Sequence, residues 1–96
     1  MFHVAVSEVT AFAGLPVHLD CGRLSGPSFD WTYQISENTG RPIVVNGVIN
    51  GSDVERFSID ASGIIIRDVK DTDAGIYVCG HRANDYHRIN LTVSCE

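Results

Sequence analysis

Long hydrophobic runs are missing from this 96-residue chain. The longest are pieces such as Ile43-Val44-Val45 and Ile64-Ile65-Ile66, far short of the ~18–20 apolar residues that a membrane-spanning helix needs. Lysine is nearly missing too: Lys70 stands alone, and 7 Lys and Arg against 12 Asp and Glu leave a net charge of −5. Nucleic-acid binders cluster cations to displace the counterions around phosphate, so no nucleic acid is expected as a partner. Catalytic signatures are absent as well. The chain has no Gly-x-Ser-x-Gly, His-Glu-x-x-His or Cys-x-x-Cys motif and no phosphate-cradling glycine loop, so we expect neither enzyme activity nor a cofactor or metal. His81 and His87 with Asp85 come nearest to a weak Zn²⁺ set, but polar residues available to a partner describe them better. No basic and then apolar leader precedes the first strand-like stretch. If the protein is exported, Met1 stands where a leader has been removed.

What is present suffices for one folded domain spanning 1–96. Hydrophobic residues make up 44%, with 4 Phe, 3 Tyr and 1 Trp, more than a disordered chain carries. A domain this small buries only a little over ~60% of its unfolded surface, so a covalent staple matters. Cys21 and Cys79 are candidates for one, worth on the order of 4 kcal/mol in chain entropy. Such a bond implies an oxidising compartment; two buried free thiols are the alternative.

Helical periodicity is nowhere sustained. Period-two alternation recurs instead, bounded by Gly, Pro, Asn and Asp. It predicts an all-β chain with strands at 2–6, 9–13, 17–21, 29–35, 43–46, 48–50, 56–60, 64–69, 76–81 and 88–93. Asn46-Gly47 is a type I′ hairpin signal, and Gly14-Leu15-Pro16 and Ala61-Ser62-Gly63 read as turns. Side-chain parity places Val17, Leu19, Cys21, Phe29, Trp31, Tyr33, Ile35, Tyr77 and Cys79 on an inner face. Many short alternating strands indicate a sandwich or a barrel.

Cys21, Trp31 and the run Asp71-Thr72-Asp73-Ala74-Gly75-Ile76-Tyr77-Val78-Cys79 resemble the Cys…Trp…Asp-x-Gly-x-Tyr-x-Cys framework of the immunoglobulin superfamily, and the likeness spans nearly the whole chain. It implies an immunoglobulin-like β-sandwich of two antiparallel sheets with a Cys21–Cys79 disulfide across the core. It further implies a tyrosine corner at Tyr77 and an Arg56–Asp73 bridge like that of variable-type (V-set) domains. The stretch between the cysteines is short for that type, yet residues 40–45 resemble its strand C′ and residues 48–50 a stub of C″. An intermediate (I-set) adhesion domain is the alternative. Trp31-Thr32-Tyr33-Gln34 matches the Trp-x-x-Gln of V domains. Where rearranged antigen receptors carry Phe-Gly-x-Gly, this chain has Asp85-Tyr86-His87-Arg88, so it resembles a non-rearranging immune-type receptor or co-receptor. Sialic-acid-binding relatives hold an Arg three positions after the corner tyrosine; here Gly80 stands there, with Arg82 two further on.

By this resemblance the expected function is recognition of a protein ligand on another cell or of a co-receptor. The expected ligand residues are Arg23 in the BC loop (23–28) and Arg82, Asn84, Asp85, Tyr86 and His87 in the FG loop (82–87). Thr32, Gln34, Val44, Val78 and Gly80 are expected on the outward GFCC′ face as a homodimer contact. Asn50-Gly51-Ser52 and Asn90-Leu91-Thr92 are glycosylation sequons, and a glycan on Asn90 would screen part of that face. Cys95 is left over beyond the last strand and is expected to join a second chain, or to be free. The chain is then the ectodomain of a cell-surface or secreted receptor that reaches the membrane only through a segment outside it. A cell-adhesion domain without dedicated ligand loops is the alternative.

Overall fold

A computed structural model describes residues 3–21, 30–36, 39–60, 62–82 and 85–95, with side chains described from Ser7 onward except at positions 81, 82, 85 and 86. Within these residues the chain forms strands β1 (His3–Phe12), β2 (Val17–Asp20), β3 (Asp30–Ser36), β4 (Thr39–Val45), β5 (Val48–Ile49), β6 (Phe57–Ile59), β7 (Gly63–Ile66), β8 (Gly75–Arg82) and β9 (Asp85–Ser94). Short 3₁₀ turns occupy Gly51–Asp53 and Asp71–Asp73. One sheet has six strands in the order β1-β9-β8-β3-β4-β5, and the other has three in the order β2-β7-β6.

Alternation explains how the sheets meet. Leu19, Ile64, Ile66 and Phe57 from the small sheet and Trp31, Ile43, Tyr77, Ile89 and Leu91 from the large one form a single buried cluster. Burying a large aliphatic or aromatic side chain contributes about 1.5–3 kcal/mol, so this inner layer drives the two sheets together. The cluster is pinned by the Cys21–Cys79 disulfide, whose Cα atoms lie 6.0 Å apart across 58 residues of sequence. Trp31 stands opposite Cys79 in the β3–β8 ladder and is fully buried. Asn46 and Gly47 take φ values of 51° and 79°, the left-handed pair a type I′ hairpin requires.

Three expectations are corrected. The first strand is one element, not two: with no Gly or Pro from His3 to Phe12 to break it, β1 pairs parallel with β9 along its whole length. Ile35 is 60% exposed rather than inside. It is the extra residue where the β3–β4 register slips between Gln34 and Ser36, and a bulged residue loses the side its parity assigns. Val44 is fully buried rather than outward. A second slip, between Trp31↔Val44 and Thr32↔Pro42, leaves Ile43 as the extra residue and turns both it and Val44 into the core. Phe29 lies outside the described residues.

Candidate functional site

One end of the sandwich is a tightly hydrogen-bonded corner. Tyr77 Oη donates to the Asp73 carbonyl at 2.7 Å, which is the tyrosine corner expected from the motif. Arg56 grips the Asp73 carboxylate end-on, with Nη1–Oδ1 2.9 Å and Nη2–Oδ2 2.7 Å, and the Lys70 N–H adds a third bond at 2.8 Å. Burial pushes the Asp73 carboxyl up, but the Arg56 and Lys70 hydrogen bonds outweigh it and hold it below the usual carboxylate range. Burial also drives the Tyr77 hydroxyl well above an ordinary phenol. Two further bonds here had no expectation attached. Arg41 Nη1 contacts both oxygens of buried Asp53 at 3.1 and 3.0 Å, and Tyr33 Oη donates to the Ala74 carbonyl at 2.7 Å. The Tyr33 ring presses against Gly75, whose φ of 139° and bare Cα admit it. A cleft of about 220 Å³ opens between the two ion pairs, with each arginine already neutralised by its aspartate.

The opposite end carries the expected ligand loops. Arg23 and the rest of 23–28, and Asn84, lie outside the described residues. Arg82 and Asp85 are not loop residues, because they face each other as the last rung of the β8–β9 ladder. The strands on either side of the FG connection thus run to Arg82 and from Asp85, and residues 83–84 between them lie outside the described residues. Tyr86 is likewise a strand residue, opposite Gly80, and the side chains of Arg82, Asp85 and Tyr86 are outside the description. His87 is corrected: it lies on β9 on the same side as buried Ile89 and is half-buried. Its Nε2 meets Ser7 Oγ at 2.8 Å, tying β9 to β1. The side chains of His81 and Asp85, weighed with His87 as a weak metal set, lie outside the description, and among the described residues no group of three or more His, Cys, Asp or Glu gathers.

The outer face of the large sheet is defined by register. Thr32, Val78 and Arg88 make one cross-strand row, and Gln34, Ile76, Asn90 and Glu8 the next. Thr32, Gln34 and Val78 are half-buried on this face, whereas Val44 and Gly80, expected beside them, are buried. Arg88 was not anticipated here, although the count that turns Asn90 outward turns Arg88 outward too. Its Nε is buried without a hydrogen-bond partner.

Three modification-prone residues are also placed. Asn50 is exposed at the head of the 3₁₀ turn, its Oδ1 accepting the Ser52 N–H at 3.3 Å. Asn90 is half-buried between β8 and β1. Cys95 is exposed and free of any disulfide, and its Sγ donates to Asp71 Oδ1 at 2.9 Å. That carboxylate raises the thiol's pKa.

A disulfide-pinned pair of β-sheets, a buried Trp on the strand opposite the second cysteine and a tyrosine corner two residues before it define the immunoglobulin fold. No protein-family model matches the sequence, and no curated protein does either. Among solved structures, the second immunoglobulin domain of the mouse polymeric immunoglobulin receptor is similar, with a TM-score of 0.73 over 95% of this chain and 98% of that one at 20% identity. Among the described residues no helix is long and apolar enough to cross a membrane.

Proposed function

We propose that this chain is a variable-type immunoglobulin module of an extracellular receptor or co-receptor that binds a protein ligand with the end carrying the BC and FG connections. The observation that carries the reading is the strand order β1-β9-β8-β3-β4-β5. Variable-type domains extend the G-F-C sheet with two further strands, and β4 and the two-residue stub β5 occupy those places; an intermediate-type domain has no counterpart of β5. The buried disulfide fits an oxidising, extracellular setting. Continuous pairing of β9 with β1 from Asp85 onward, with no Phe-Gly-x-Gly bulge, favours a non-rearranging receptor.

Arg23 and Asn84 in the connections, with Arg82, Asp85 and Tyr86 on the flanking rungs, are the proposed ligand residues; His87 leaves that set for a structural role. The outer face around Thr32, Gln34 and Val78 is the proposed second contact, and Cys95 the proposed covalent link to another chain. Fluorescent tetramers of the domain, screened on a panel of cell lines, test the ligand end. Staining that Arg82→Ala with Tyr86→Ala abolishes at unchanged melting temperature supports the reading. Staining that both variants retain, or none on any line, refutes it.

A further inference from the structure

We infer that the outer face of the large sheet joins two copies of this chain through reciprocal ion pairs between Arg88 of one and Glu8 of the other. This rests on the outer-face contact proposed above and names the residues that would hold it.

Arg88 lies on β9, one strand in from the β1 edge of that face. Its backbone is flanked by Val78 on β8 and Val6 on β1, and its Nε is buried with no hydrogen-bond partner. It enters no ion pair among the described residues, whereas Arg41 and Arg56 are each paired with an aspartate. A buried donor left unsatisfied is destabilising, more so on a charged group, and in a chain with 12 acidic residues an unpaired cation at this point is conspicuous. The matching anion is on the same face. Glu8 is exposed, enters no ion pair among the described residues, and sits opposite Asn90, one outward position along from Arg88.

Within one copy, register offsets the two charges diagonally. A two-fold axis parallel to the sheet, lying above the outer face and crossing the Arg88–Glu8 diagonal at right angles at its midpoint, brings two outer faces together with each Arg88 over the partner's Glu8. A closed two-fold contact is self-complementary by construction, and an unpaired cation and an unpaired anion side by side on one face are what it requires. The contact also depends on Asn90, which stands in register with Glu8: a glycan there would block it.

The test is sedimentation equilibrium on the full chain carrying Cys95→Ser, made without glycosylation so that neither a disulfide nor a sugar confuses the result. We expect a reversible dimer, with Arg88→Glu and Glu8→Arg each lowering the association constant about tenfold or more and the Glu8→Arg/Arg88→Glu double variant restoring it to within about threefold. Salt dependence alone does not discriminate, since each copy carries −5 and salt relieves that repulsion while screening the pair. Glu8 is exposed, so Glu8→Arg remains decisive even if Arg88→Glu unfolds the chain. A monomeric parent overturns both the outer-face contact and this pairing. A dimer that Gln34→Arg disrupts and the charge reversals leave intact overturns the pairing alone.

Discussion

Asp73 is held from both ends by Tyr77 and Arg56: the tyrosine hydroxyl binds its carbonyl at 2.7 Å while the guanidinium clamps its carboxylate. The turn before β8, the strand itself and the entry to β6 therefore share one residue. Tyr77→Phe is expected to cost about 1–2 kcal/mol. Arg56→Ala is expected to cost more, about 2–3 kcal/mol, because it strands the buried Asp73 carboxylate. Chemical denaturation of the single and double variants checks both, and strict additivity would show that the two bonds do not act through Asp73.

Acid should destabilise the fold in a defined window. The carboxyl of Asp73 is raised by burial, lowered further by Arg56 and Lys70, and net depressed. Asp60 follows the same sign, with burial opposed by the Ser62 and Gly63 N–H groups and His18. A depressed folded pKa contributes stability that is fully present above the unfolded value, about 3.9, and is lost as pH falls through the folded one. The contribution of these two carboxyls to the melting temperature should therefore be constant down to about pH 5 and decline below about pH 4. Asp60→Asn should make the acid limb shallower while leaving the corner intact; an unchanged limb would assign the acid sensitivity elsewhere.

The Cys95 thiol should be sluggish. Its hydrogen bond to Asp71 raises its pKa, and the thiolate is the reacting form. Alkylation by iodoacetamide at neutral pH should run slower than for a free cysteine peptide, and Asp71→Asn should accelerate it. Equal rates would show that the bond does not persist in solution. The same bond works against spontaneous pairing of Cys95 with a second chain.

Removing the core disulfide by Cys21→Ala with Cys79→Ala should lower stability by on the order of 4 kcal/mol. That is a large fraction of the ~5–15 kcal/mol typical of a domain. Urea denaturation of the double variant gives the number, and a loss below about 1 kcal/mol would mean the inner layer holds without the staple.

Made in a glycosylating host, the chain should carry sugar at Asn50 to higher occupancy than at Asn90. Asn50 is exposed in a turn, whereas Asn90 is half-buried between two strands. Glycopeptide mass spectrometry decides it; occupancy concentrated on Asn90 would contradict the accessibility argument.

The framework was legible from the chain because its members sit at fixed short spacings or are of unmistakable type: Cys21, Trp31, the Asp73-to-Cys79 run and the Arg56 partner. Parity also served wherever strands were regular, as at Leu19, Tyr77 and Cys79. It failed at Ile35 and Val44 because each adjoins a register slip, and a single extra residue reverses inside and outside without a mark in local composition. Arg41–Asp53 was invisible for a different reason, since a hairpin and a 3₁₀ turn intervene and only the folded geometry aligns them. Arg88 was legible by the same parity that turns Asn90 outward, because β9 is regular between them. The BC and FG connections are the least legible, because no packing rule constrains them.

The parallel course of β1 beside β9 has a mechanical meaning. Tension applied at His3 and at Ser94 pulls the two strands past each other along their common axis, so all ten rungs from His3↔Asp85 to Phe12↔Ser94 are loaded in shear together. An antiparallel hairpin drawn from its open end would instead surrender one rung at a time. A module held by both ends between opposing cell surfaces would thus resist extension through its longest ladder, and His87 to Ser7 adds a side-chain tie within it.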